Sequence, residues 1–132
     1  MSHWIEYLIN QQPIKAIYGS TLPSLKSVDI HSVILDRDGP KLSILLNLQE
    51  YPDSPPKKWE IQKFNTVQIS LSLIDLMEIN ISGWTETSYV TNLSIIKNHN
   101  FIDMEINENT FKLIAKAKFL DVESITAYRK LG

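Results

Sequence analysis

Residues 67–73 read Val67-Gln68-Ile69-Ser70-Leu71-Ser72-Leu73, apolar and polar in unbroken alternation. A period of two sends successive side chains to opposite faces, so this segment is a β-strand with one buried and one wet face. The pattern recurs. Leu42, Ile44, Leu46 and Leu48 point inward, with Ser43, Asn47 and Gln49 outward. Ile102, Met104 and Ile106 oppose Asp103, Glu105 and Asn107. Phe111, Leu113, Ala115, Ala117 and Phe119 oppose Lys112, Lys116 and Lys118. A chain built this way folds as an antiparallel sheet, and whatever it does it does with a surface.

The remaining segments punctuate that sheet. Trp4, Leu8, Ile14 and Ile17 form an apolar stripe over residues 3–18, interrupted by Pro13, which predicts a helix or helix-turn with a second turn running to Tyr18. Val28, Ile30 and Ile34 alternate with Asp29 and His31, while Val33 and Leu35 break the phase, so a bulge near His31-Ser32, or a strand buried on both faces, is expected. Asp38-Gly39 between two apolar runs marks a hairpin. Pro52, Pro55 and Pro56 cannot form a ladder and predict a stiff loop leading to Trp59. The odd-numbered phase of the central strand extends through Met77, Ile79 and Ile81. Asp75 is out of step, and a turn at Ile74-Asp75 would divide the run in two. Further strands are expected at Tyr89 to Ile96, Phe101 to Asn107, Phe111 to Phe119 and Val122 to Tyr128. The expected fold is α+β, mostly β: a bent antiparallel sheet or open barrel of about six to eight meander-like strands, with an N-terminal helical segment. Residues 1–132 read as a single domain.

Composition narrows the function classes. The formal net charge of −2 lacks the basic excess of a phosphate-binding surface, so no nucleic-acid partner is expected. With no cysteine, disulfides, thiolate zinc sites and cysteine nucleophiles are excluded. No apolar run approaches the ~20 residues of a membrane helix, and Met1 to Glu6 carries no signal-peptide pattern; a cytoplasmic protein with no membrane partner is the expectation.

The residues that could carry catalytic chemistry are scattered. His3, His31 and His99 lie in different elements, without metal-ligand spacing. Asp36-Arg37-Asp38-Gly39 lacks the acidic spacing and later bidentate Glu of a calcium loop and reads as a turn. Four scattered glycines form no phosphate loop, and no serine sits in a nucleophile elbow. Asp103 and Glu105 share a strand face, as a catalytic pair could and as any solvated strand does. Of the three tryptophans, at least two are expected in the core.

The order of signals carries a resemblance. Trp4-Ile5 is followed by Ile17-Tyr18-Gly19 and Leu22-Pro23-Ser24-Leu25. Then come Val28 to Pro40, a long apolar strand, and Pro55-Pro56-Lys57-Lys58-Trp59. Phe64-Asn65-Thr66-Val67 and Ile81-Ser82-Gly83-Trp84 complete the series. The chain thereby resembles the immunity protein 50 family of bacterial polymorphic toxin systems, most closely from Ile17 to Trp84. The resemblance implies a protein that binds a cognate toxin domain and blocks it, with no enzyme activity, no cofactor and no catalytic or metal-binding residues. A monomer or weak homodimer is expected. Two other classes stand beside it: a small-ligand-binding β-rich domain, and a small hydrolase or isomerase using scattered carboxylates.

For a toxin-binding protein, the candidate contact residues are the acidic groups and one aromatic. Asp36 and Asp38 sit on the hairpin, Glu50 and Asp53 flank the start of the proline loop, and Asp103 and Glu105 share a strand face. Trp59 follows the proline loop. Acidic groups steer toward and cover the basic clefts of toxins that act on phosphate-rich substrates. A stiff loop loses little entropy on binding.

Overall fold

A computed structural model describes residues 3–86 and 88–131. A short 3-10 turn, Trp4–Tyr7, opens the described chain. His3 caps it with its ring, and Glu6 returns a carboxylate to the His3 amide at 2.7 Å. Helix α1 spans Gln12–Tyr18. Pro13 lies in its first turn, where a missing N–H is harmless, and Gly19 at φ 64° ends it. The two helical pieces occupy the predicted N-terminal segment. A second helix, α2 (Lys57–Ile61), forms directly after the proline loop.

Seven antiparallel strands make one open sheet: β1 (Val28–Asp36), β2 (Lys41–Asn47), β3 (Thr66–Gly83), β4 (Val90–Thr91), β5 (Ser94–Asn98), β6 (Phe101–Asn107) and β7 (Phe111–Tyr128). Their spatial order is β4-β1-β2-β3-β7-β6-β5. The expected meander is present twice, as β1-β2-β3 and β5-β6-β7, joined through β3 and β7. The two sheet edges, β4 and β5, are separated in sequence only by Asn92 and Leu93. The sheet must therefore curl until its edges come close, which makes it an open barrel. Trp4 and Leu25 lie where the edges approach: Trp4 Nε1 donates to the Pro23 carbonyl at 2.9 Å, and the Leu93 amide donates to Leu25 at 2.9 Å.

The long ribbon of β3 and β7 shapes this curl. Eighteen residues each would run ~60 Å if straight, far beyond a domain with a radius of gyration of about 14 Å. The ribbon bends instead. Register shifts fall between Ser70 and Leu71 and between Leu76 and Glu78, and Asp75 adopts φ 57°. The Ile74-Asp75 irregularity is thus a bend inside one continuous strand, not the turn between two strands expected from sequence. β2, with β1 on its other side, flanks the first half of β3, β6 flanks the first half of β7, and the N-terminal segment runs beside the rest of β7, with the Ile9 amide donating to the Leu120 carbonyl at 2.9 Å.

The bend also explains where face assignments shift. Val67, Ile69, Leu71 and Leu73 are fully buried, as alternation predicts. Met77, expected inward, is the extra residue of the second bulge and is 47% exposed; Leu76 and Ile79 pack on the core in its place. On β7, Phe119 was expected inward and is instead exposed, with Leu120 buried beside it. The bulge predicted at His31-Ser32 is present between Ile30 and Ser32. It turns Val33 inward and leaves Ile34 exposed, against the expectation for Ile34. The expected Tyr89–Ile96 strand breaks at Asn92-Leu93 into β4 and β5, on opposite sheet edges.

Candidate functional site

The curled sheet offers an outer face, a hairpin rim and apolar grooves. On the outer face, Ser43 and Asn47 were expected to meet water but are buried. Ser43 Oγ and Ser72 Oγ lie 3.1 Å apart across β2 and β3. Asn47 Nδ2 donates to the Tyr128 hydroxyl at 2.7 Å and lies 3.2 Å from His31 Nε2, while Gln68 Nε2 donates to Asn47 Oδ1 at 3.1 Å. These bonds satisfy polar groups on a crowded strand face and tie β1, β2, β3 and β7 together. Lys41 and Glu123 extend the belt with an ion pair at 2.9 Å. The Lys41 hydrogen bond holds the Glu123 carboxyl below its ordinary range. That stabilisation is present above the ordinary carboxylate pKa and is lost as the pH falls through the lowered value; with both side chains partly exposed it is small.

The acidic candidates lie apart. Asp36 ends β1 and Asp38 sits in the following turn, both exposed. Glu50 and Asp53 lie past the far end of β2, roughly 20 Å away by strand length. The Glu50 carboxylate is engaged: it accepts from the Ser24 amide at 2.6 Å and the Ser24 hydroxyl at 3.0 Å, pinning two loops. Asp53 is exposed. Trp59, on α2, is half-buried against the core with its ring centroid 6.2 Å from that of Tyr51. Asp103 pairs across the ladder with Lys116, and Glu105 with Ile114, so that face mixes both charges with apolar groups. Trp4 is buried and Trp84 is 40% exposed.

Beside Glu50, two tyrosines give a sharp contrast. Tyr18 donates to the Glu50 carbonyl at 2.7 Å, and burial pushes its phenol well above the ordinary range, with Glu50 and Tyr51 adding to the effect. The Tyr51 hydroxyl is buried and has no hydrogen-bond partner among the described residues. Tyr18→Phe should therefore lose about 1–3 kcal/mol, because it orphans a carbonyl, whereas Tyr51→Phe should be neutral or stabilising. Chemical denaturation of both variants checks this; equal losses would contradict the two hydroxyl environments.

Sequence reasoning missed the apolar grooves. One of about 700 Å³ lies where β6 begins beside the bend of β7. Tyr7 and Ile9 from the N-terminal segment, Phe101 and Ile102 from β6, and Phe119 from β7 line it, with Lys97 and Lys118 at its polar positions. A smaller one, about 350 Å³, is bounded by Val33, Leu35, Ile81 and Trp84. Trp84 stacks on Tyr89 at 4.5 Å, meets Phe111 edge-on at 4.9 Å, and has φ 65°. The missed signal was adjacent apolar pairs, namely Leu8-Ile9, Ile34-Leu35 and Phe119-Leu120. In a strand or extended segment one member of such a pair faces outward. Among the described residues no group of three or more His, Asp or Glu is placed to hold a metal ion. No helix among them is long and apolar enough to cross a membrane.

A family model described as Immunity protein 50 matches residues 10–128, from just before α1 to the last residue of β7. No curated protein and no solved structure matches the chain.

Proposed function

The chain belongs to the immunity protein 50 family, and from that premise we propose that it binds a cognate toxin protein and neutralises it by direct one-to-one contact. The family match, which takes in every strand of the sheet, is the observation that carries this reading. In this reading the chain is a single non-enzymatic domain, a monomer or weak homodimer, acting in the cytoplasm without a cofactor. The surface is adequate to the task. A standard interface of ~1,600 Å² takes about 800 Å² from each partner, roughly a tenth of the 8078 Å² exposed here. Exposed Ile9, Leu35, Trp84 and Phe119 are groups a partner would cover. The dispersed carboxylates Asp36, Asp38, Asp53 and Glu105 contribute steering toward a basic cleft, while Glu50 and Trp59 act mainly as supports of the loops they pack.

Co-expression with the cognate toxin domain should restore growth, and the two purified proteins should co-elute. Rescue without a detectable complex would contradict direct binding.

A further inference from the structure

We infer that the groove between the N-terminal segment and the β5–β6 turn is a docking site for an acidic segment of the toxin. An apolar toxin side chain would seat between Tyr7, Ile9, Phe101 and Phe119, and toxin carboxylates would meet Lys97 and Lys118. This rests on the immunity reading above and names the chemistry of the partner at one place on the surface.

Three observations support the choice. The groove is apolar at its centre and open at its rim, with Ile9 59% and Phe119 47% exposed. Lys97 and Lys118 are both exposed, and neither forms an ion pair with any described carboxylate. Lys116 stands nearby, its ammonium 5.8 Å from the centroid of the Phe101 ring. No carboxylate lines the groove. Outside it, Glu6 accepts from the His3 amide at 2.7 Å, Asp121 accepts from the Asn10 amide at 3.2 Å, and Asp103 stands opposite Lys116 in the strand register. In a chain of net charge −2 this is a local positive site around an apolar cleft. Charge complementarity therefore selects an acidic partner segment with an apolar anchor. The smaller groove at Leu35 and Trp84 lacks such selection, because Asp36, Arg37, Asp38 and Lys41 beside it cancel in charge.

Lys97→Glu with Lys118→Glu is the direct test, read by association kinetics against the purified cognate toxin domain. Both side chains are exposed, and Lys97→Gln with Lys118→Gln provides a milder pair should the reversal perturb folding. The wild-type association rate should fall as salt rises. The reversed pair should bind about tenfold or more slowly at low salt and lose that salt dependence. The glutamine pair should lie between. If wild type binds tightly and both lysine pairs bind as wild type does, the groove is not the docking site and the immunity reading stands without it. If wild type neither binds nor rescues, the immunity reading itself fails. A concentration-dependent dimer abolished by the lysine substitutions, with toxin affinity unchanged, would assign the groove to a second copy of this chain and overturn the proposal.

Discussion

Leu71→Ala is expected to destabilise the fold by ~2–5 kcal/mol, whereas Ser70→Ala should cost about 1 kcal/mol or less. Leu71 lies in the half of β3 held between β2 and β7, opposite Ile44 and Val122, with no exposed surface. Its truncation leaves a cavity that paired strands on both sides cannot easily collapse to fill. Ser70 points to the outer face, is half-buried and forms no side-chain hydrogen bond among those identified. Urea unfolding of the two variants measures the difference. Equal midpoints would mean that the inward phase of β3 is wrong.

Gly83→Ala should be as damaging for a different reason. Gly83 closes the β3–β7 ladder opposite Phe111, with φ 95°. A Cβ there would stand 2.0 Å from the Thr110 carbonyl oxygen and 2.8 Å from its carbon. Both are backbone atoms, so relief requires the end of the ribbon to separate. Left-handed strain and this clash together predict a loss of roughly 3–5 kcal/mol. The Trp84, Tyr89 and Phe111 aromatic cluster beside it should loosen, visible as a shift in tryptophan emission. A Gly83→Ala variant with wild-type midpoint and emission would contradict the close approach of the two strands.

Much of this architecture was legible because strand alternation and turn chemistry are local. The His31 bulge, the Asp38-Gly39 hairpin and the core of the central strand all follow from residues within a few positions of one another. The bend was only partly legible. Asp75 announced an irregularity, but a polar residue out of phase fits equally a turn or a left-handed residue inside a continuous strand. The pairing of β3 with β7 over their whole lengths decides between these, and that pairing is non-local. The faces of Met77 and Phe119 were misread for the same reason: Met77 is the extra residue of a bulge, and across the bend the inward positions step by three, from Leu73 to Leu76 on β3 and from Ala117 to Leu120 on β7. Acidic side chains were visible as candidates from the start. Their separation, the engagement of Glu50 by Ser24, and the groove joining Ile9 to Phe119 depend on segments far apart in the chain.

The central claim is that this chain neutralises a toxin by occupying it directly. Calorimetric titration of a purified cognate toxin domain with this protein, paired with the toxin's activity at each point, tests that most directly. The account predicts saturation at one molecule per toxin, with activity falling in step with occupancy. No binding at micromolar concentrations of both proteins, or full toxin activity at saturation, would contradict it.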